Sequence, residues 1–325
     1  MRILIILPNW LGDALMSTPA IEHLSTLYPD AKFTFIGSFV AIEAIKYHPK
    51  AEAAFVDETK KQGNRLKATH IFAKSLGEFE IAISFRSNIY STLLLLFTPA
   101  HQKIARKSWH ASLLLDRAEK LSREIHLSEQ YNNLVNLLDA TPSSAPKSKL
   151  YIPKKVYDQK TLGINPGATY GSAKRWYPDK FAEVAKAFSS HYQIIIFGGP
   201  TEVDMGADIE KRLQDMGITN YQNLAGKTNI QELCSHIGGL NIFITNDSGP
   251  MHVAAAYEVP TVAIFGPTRH HETCQWKNEK SIIVRRDDVA CAPCMKRTCP
   301  LKHHECMTKI EAGDVIEAVK HLIEE

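Results

Sequence analysis

Thr161-Leu162-Gly163-Ile164-Asn165-Pro166-Gly167-Ala168-Thr169-Tyr170-Gly171-Ser172-Ala173-Lys174-Arg175-Trp176 reads as a short strand, Thr161–Asn165, running into a loop of small residues that ends in two adjacent cations. From this stretch the chain continues as an alternation. Pro178–His191 reads as a helix with proline near its first turn, Gln193–Phe197 as a strand ending in Gly198-Gly199-Pro200, and Glu202–Asp215 as a helix. A short strand near Tyr221–Leu224, a helix over Ile230–Ile237, a strand Asn241–Thr245, a helix Pro250–Tyr257 and a strand Thr261–Phe265 follow, and a helix over Ala312–Ile323 closes the chain. Strands alternating with helices in this way imply a parallel sheet with crossover helices.

Toward the N-terminus the same grammar runs once more. Arg2–Leu7 reads as a strand, Asn9–Gly12 as a loop, and Asp13–Leu27 as a helix. Lys32–Ile36, Ala54–Val56 and Ile81–Phe85 read as strands, Phe39–Tyr47 and Asn88–Phe97 as helices, and Lys103–Arg106 as a candidate edge strand. Between the two halves, Thr141–Lys149 holds two prolines and three serines in nine residues and reads as a linker and, together with a final helix expected to pack back on the N-terminal domain, as a hinge candidate. The expected fold class is therefore α/β, with two Rossmann-like doubly wound domains, residues 1–150 and 151–325, facing across a cleft. In such sheets ligands bind beyond the carboxyl ends of the strands.

The length of 325 residues suits two domains of about 150 residues each. A composition of 44% hydrophobic and 22% charged residues is that of a globular chain and argues against disorder. A net charge of +3 is too small to suggest nucleic acid as a partner. No apolar run approaches the roughly 18–20 residues that span a bilayer. The N-terminal Met1–Leu7 resembles a signal peptide only superficially: it is short, Pro8 ends it, and no small-residue cleavage site follows. The expectation is a cytoplasmic protein with reduced thiols.

Three loops leave strands with chemistry in them. The first, Pro8–Pro19, has one glycine where a dinucleotide fingerprint needs three, and offers a carboxylate, Asp13, at a helix start. Asp13 is either a cap of that helix or a functional acid. The second, Asn165–Trp176, combines small residues with Lys174 and Arg175, a set suited to a diphosphate; a solvated cation pair is the plainer alternative. The third, Thr245–Ala255, places Ser248 and Gly249 at the start of a helix whose N–H groups can bind phosphate. Asp247 and His252 could hold hydroxyls of a sugar, or serve as a cap and a core residue.

The three loops in this order, with Phe265-Gly266-Pro267-Thr268 and the tail Cys291-Ala292-Pro293-Cys294-Met295-Lys296-Arg297-Thr298-Cys299-Pro300, resemble glycosyltransferase family 9, the ADP-heptose heptosyltransferases. The likeness covers nearly the whole chain and is weakest between about Lys50 and Lys155. It implies a GT-B fold whose C-terminal domain holds the donor. It implies inverting, metal-independent transfer of L-glycero-D-manno-heptose from ADP-heptose to the first heptose of the lipopolysaccharide inner core. No cofactor is implied beyond the sugar nucleotide.

Matched by position, Asp13 would be the general base, a role that typically contributes about 10²–10⁴-fold. Lys174 and Arg175 would neutralise the diphosphate as the leaving group develops charge. Thr169, Ser248 and Gly249 would hold phosphate oxygens, Asp247 the heptose hydroxyls, and Glu202 the ribose hydroxyls, with His252 a further donor-binding candidate.

The implied acceptor, heptosyl-Kdo2-lipid A, is anionic, so Lys60, Lys61, Arg65 and Lys67 in one cationic run, and Lys103, Arg106, Lys107 and His110 in another, are candidates to meet it. The same runs could hold the protein at the inner leaflet as a peripheral contact. Cys291, Cys294, Cys299 and Cys306, with His303 and His304, have spacings compatible with a structural metal; buried apolar thiols are the alternative. The competing readings are another family 9 or GT-B sugar transferase, and a non-catalytic sugar-nucleotide binding module. A binding module would have no use for Asp13.

Overall fold

The computed structural model describes residues 1–115, 117–119, 122 and 124–324, without the side chain of Leu114. The chain divides into two compact units, Met1–Tyr151 and Ile152–Glu325.

In the N-terminal unit six strands, β1 (Arg2–Ile6), β2 (Lys32–Gly37), β3 (Ala51–Val56), β4 (Phe79–Ser84), β5 (Ala100–Arg106) and β6 (Arg117–Glu119), form one sheet in the order β3-β2-β1-β4-β5-β6. All its pairings are parallel. Ile3, Leu4, Ile5 and Ile6 are fully buried, which is why the first strand is apolar without alternation: helices cover both its faces. The strand order reverses direction between β1 and β4, and the chain leaves these two neighbours at the same end of the sheet. Loops at such a switch point open a crevice for ligands.

The C-terminal unit repeats the plan with β7 (Thr161–Asn165), β8 (Gln193–Ile196), β9 (Tyr221–Asn223), β10 (Ile242–Asn246), β11 (Thr261–Ile264) and β12 (Ser281–Val284), ordered β12-β11-β10-β7-β8-β9. Counted within the unit, this is the same 3-2-1-4-5-6 winding, with its switch point between β7 and β10. The helix Pro178–Phe188 buries Phe181, Ala182, Val184, Ala185 and Phe188 against this sheet. The final helix, Ala312–Glu324, buries Ala312, Val315 and Val319 in the same core, so its apolar face is used within its own unit.

Four details differ from the sequence expectations. The helix expected over Asp13–Leu27 is two helices, Leu11–Met16 and Thr18–Leu27. Pro19 brings no N–H, and the hydroxyls of Ser17 and Thr18 donate to the carbonyls of Ala14 and Leu15, both at 2.7 Å. Lys103–Arg106 belongs to an interior strand, because the three-residue β6 pairs outside it. The proline- and serine-rich stretch is not a free linker. Ser143 and Asn136 are bound to each other at 3.1 Å through both backbone groups of Ser143, Ala145 is fully buried, and the Lys149 N–H donates to Thr18 Oγ1 at 3.1 Å. Finally, the helices Arg65–Ser75, Trp109–Leu114 and Leu127–Asn136 and the strands β6 and β12 add to those expected.

Candidate active site

Two asparagines fix the loops at the switch point of the C-terminal sheet. Asn165, at the end of β7, is buried; its Nδ2 donates to Gly167 O at 3.2 Å and to Ser248 Oγ at 3.3 Å. Asn246, at the end of β10, donates through Nδ2 to Pro166 O at 2.7 Å and accepts from the Trp176 N–H at 3.1 Å. A buried amide that crosses between two loops satisfies the backbone there and leaves little freedom to either loop.

Within this frame the second and third loops meet at an ion pair. Lys174 Nζ stands 2.5 Å from Asp247 Oδ2, with the two side chains 12% and 4% exposed. Thr268 Oγ1, just beyond β11, donates to the same carboxylate oxygen at 2.5 Å, and the Lys174 ammonium lies 4.7 Å from the centre of the Tyr170 ring. Arg175 is half-buried, its Nε 3.4 Å from Ala168 O, and Thr169 is exposed at the loop tip. Ser248 is the N-cap residue of the helix Gly249–Ala256 but makes no side-chain capping bond there. The N–H groups at the start of this helix therefore keep their capacity for an anion. His252 lies in the buried run Met251–Ala256 of that helix, which is the core position weighed against a sugar contact.

Glu202 follows β8 and is 6% exposed. Its Oε2 accepts from the Gly199 N–H at 2.8 Å, and its Oε1 is buried with no hydrogen-bond partner. A Cβ at Gly167 would overlap this carboxylate, so glycine is required for the two loops to approach. A buried acceptor left open beside a glycine loop is what a ligand hydroxyl would satisfy.

The cysteine-rich segment does something the spacing did not suggest. Its backbone supports the second loop: Arg297 O accepts from the Ala173 N–H at 3.0 Å and Met295 O from the Tyr170 hydroxyl at 2.9 Å. His304 bridges to the same loop, with Nε2 2.8 Å from Ala173 O and Nδ1 2.8 Å from the Tyr177 hydroxyl. Met295, Lys302 and His304 all have left-handed φ of 52–62°, a cost that such contacts must offset.

The four thiols line one small cavity with His303 and His304. Burial first, then the neighbouring Cys294, Cys291 and Cys299, push the Cys306 thiol up to about 11. Among the described residues no three His, Cys, Asp or Glu side chains are placed to hold a metal ion. Both ring nitrogens of His304 are engaged with the loop, and His303 Nδ1 accepts from the Glu305 N–H at 3.0 Å.

In the N-terminal unit Asp13 sits in the first turn of Leu11–Met16, where a carboxylate suits the helix dipole, but the cap residue is Trp10 and no side chain caps it. Burial, and after it the negative charge of Asp13, raise the Tyr131 hydroxyl far above its ordinary range, while Arg106 opposes them. Asp13, on the first helix after β1, and Arg106, the last residue of β5, are thus within electrostatic reach of one buried phenol on the helix Leu127–Asn136. Lys60 and Lys61 stand on an exposed 3-10 turn, Lys61 paired with Glu58, and Arg65 stacks on Tyr90 with Cζ 3.7 Å from the ring centre.

Sequence reasoning missed Arg86, two residues beyond β4 and buried. Its Nε donates to Leu7 O at 2.5 Å and its Nη1 to Asp57 Oδ2 at 2.9 Å. Its position just past an apolar strand at the switch point was the available signal.

Residues 70–305 match the model of glycosyltransferase family 9 (heptosyltransferase). The chain is 38% identical over 333 residues to a lipooligosaccharide heptosyltransferase 2 of Campylobacter jejuni, covering 99% of this chain and 98% of that protein. Among solved structures it is similar to the ADP-heptose LPS heptosyltransferase II of E. coli, with a TM-score of 0.82 at 24% identity over 100% of this chain and 99% of that one. It is also similar to the E. coli heptosyltransferase WaaC with ADP, with a TM-score of 0.79 at 16% identity over 99% and 100% of the two chains. These likenesses put its two doubly wound units in the GT-B class.

Proposed function

We propose, from the premise that this chain belongs to glycosyltransferase family 9, that it transfers heptose from ADP-heptose to the first heptose of the lipopolysaccharide inner core. The observation that carries this reading is end-to-end likeness, at 38% identity over 99% of the chain, to a protein named heptosyltransferase 2. The site chemistry agrees with a sugar nucleotide as donor. A paired ammonium, a second cation and an uncapped helix start suit a diphosphate, and the open Glu202 Oε1 suits a ribose hydroxyl.

In this reading Asp13 takes the proton from the acceptor hydroxyl as its oxygen attacks the anomeric carbon. Lys174 and Arg175 meet the charge that develops on the departing ADP, aided by the N–H groups at Ser248 and Gly249. Asp247 orients Lys174 and accepts from a heptose hydroxyl. Two side-chain cations at the leaving group make the reaction workable without a metal. The acceptor is heptosyl-Kdo2-lipid A, and the enzyme works in the cytoplasm with peripheral contact at the inner leaflet. No helix among the described residues is long and apolar enough to cross a membrane.

The test is transfer from ADP-heptose to a mono-heptosylated Kdo–lipid A acceptor without added metal, for wild type and Asp13→Ala together. Wild type should transfer, and the variant should lose about 10²–10⁴-fold in kcat with its ADP-heptose affinity kept. Equal losses in both quantities would make Asp13 structural, and failure of the wild type would send the search to other acceptors.

A further inference from the structure

We propose that Arg297, on the cysteine-rich segment, is a further donor-binding residue that takes an oxygen of the diphosphate beside Lys174. The segment is held against the second loop at close range. Arg297 O accepts from the Ala173 N–H at 3.0 Å, Met295 O accepts from the Tyr170 hydroxyl at 2.9 Å, and a Cβ at Gly171 would strike the Arg297 carbonyl. These contacts fix where the Arg297 side chain begins, next to the loop that ends in Lys174 and Arg175.

The side chain goes on to the ring of Tyr170, with Cζ 5.4 Å from its centre. The Lys174 ammonium lies 4.7 Å from the centre of the same ring. One aromatic ring thus gathers a cation from each segment, and its electron-rich face offsets part of their mutual repulsion. Arg297 is exposed, and among the described residues no carboxylate pairs with it and no acceptor takes its guanidinium N–H groups.

Charge makes the case for a ligand. Lys174 is matched by Asp247 at 2.5 Å, so that pair is neutral as a whole. A sugar nucleotide brings a negative charge on each phosphate and gains another when the sugar leaves. Neutrality of the pair leaves Arg175 to supply the remaining positive charge of the donor residues assigned above. Arg297 adds a second such charge, with N–H groups in the fork that suits two phosphate oxygens. A purely structural Arg297 would explain its carbonyl contact, which any residue type could make. It would leave the unspent guanidinium beside Lys174 unexplained. This inference rests on the sugar-nucleotide donor proposed above.

The test uses the full chain with Arg297→Gln, Lys174→Met and the double variant, each titrated with ADP in the absence of acceptor. Glutamine leaves the backbone contacts of position 297 in place, and an unchanged melting temperature checks the fold. Arg297→Gln should weaken ADP about tenfold in the wild-type background and by a similar factor in the Lys174→Met background, because each cation meets the diphosphate for itself. In steady-state transfer the ADP-heptose KM should rise by a similar factor with the acceptor KM unchanged. An Arg297→Gln variant that binds ADP as tightly as wild type overturns the assignment. So does a loss confined to the wild-type background, which would make Arg297 a positioning residue acting on Lys174 through Tyr170. Wild type that fails to bind ADP refutes the sugar-nucleotide donor itself, whereas equal binding by wild type and Arg297→Gln refutes Arg297 alone.

Discussion

Replacing Lys174 by methionine removes the ammonium from a pair whose carboxylate partner is 4% exposed, while Asp247→Asn removes the charge from the other side. Breaking one side of a buried pair costs about 3–5 kcal/mol. Here Thr268 still donates to Asp247 and the Lys174 side chain keeps some exposure, so Lys174→Met should sit near about 3 kcal/mol. For a unit of this size that is a fall in melting temperature of about 6–12 °C. Asp247→Asn keeps hydrogen-bonding atoms in place and should cost about 2 kcal/mol, and the double variant should cost about 2 kcal/mol less than the sum.

Calorimetric melting of the four proteins gives the cycle, and ADP titration gives the function. Lys174→Met should weaken ADP about 10–100-fold. Asp247→Asn should leave ADP binding equal or tighter, because it removes a negative charge beside the diphosphate, yet should lower transfer from ADP-heptose. Stability effects that add within about 0.5 kcal/mol would refute the coupling. An Asp247→Asn variant that loses ADP as badly as Lys174→Met would show the pair to be scaffold alone.

Gly171→Ala tests the buttress formed by the cysteine-rich segment. A Cβ at Gly171 would strike the Arg297 carbonyl oxygen, so the loop and the segment must separate. The expected result is a donor KM raised about tenfold or more with acceptor KM unchanged, read by steady-state kinetics; an unchanged donor KM would detach the segment from donor binding. A second expectation concerns acid. Burial alone would raise the Asp57 carboxyl, but Thr59 and Arg86 outweigh it and hold it below the ordinary value. A depressed carboxyl stabilises the fold above the unfolded value of about 3.9 and loses that contribution as pH falls toward the folded value. Melting temperature should therefore fall less steeply between about pH 5 and 3 in Asp57→Asn than in wild type, and parallel curves would count against the pairing.

How much of this was legible depended on how local each signal is. The strands around β7 and β10 and the loops that leave them are written in consecutive residues, with glycine and proline marking where each apolar run stops. Lys174, Arg175, Asp247, Ser248 and Glu202 could therefore be placed from the sequence, and the structure brings Lys174 and Asp247 together. The helix Arg65–Ser75 escaped because only Thr69 and Ala73 are buried along it, which leaves almost no apolar period to read. The strand β6 has three residues in a polar stretch, and missing it turned an interior strand into an expected edge. Arg86 carries no motif, and its partners Leu7 and Asp57 are distant in sequence. The buttress was invisible for another reason: Arg297 and Met295 act through their carbonyls, which every residue type possesses.

The two sheets share one winding, yet their switch points carry different chemistry, and the proposed reaction explains the division. An inverting displacement needs the attacking oxygen and the departing diphosphate on opposite faces of the anomeric carbon. The base and the cations that receive the leaving group are then best supplied by separate scaffolds, because a cation beside the base would make it a weaker acceptor of protons. In the C-terminal unit the cation is set by a buried carboxylate, Asp247, which fixes where the ammonium points before any donor arrives. Such a group spends little on reorganisation when charge develops on ADP. In the N-terminal unit the buried cation just past β4, Arg86, is paired with the carboxylate of Asp57. The same fold thus serves two needs through the residues that follow β1 in one unit and β7 and β10 in the other.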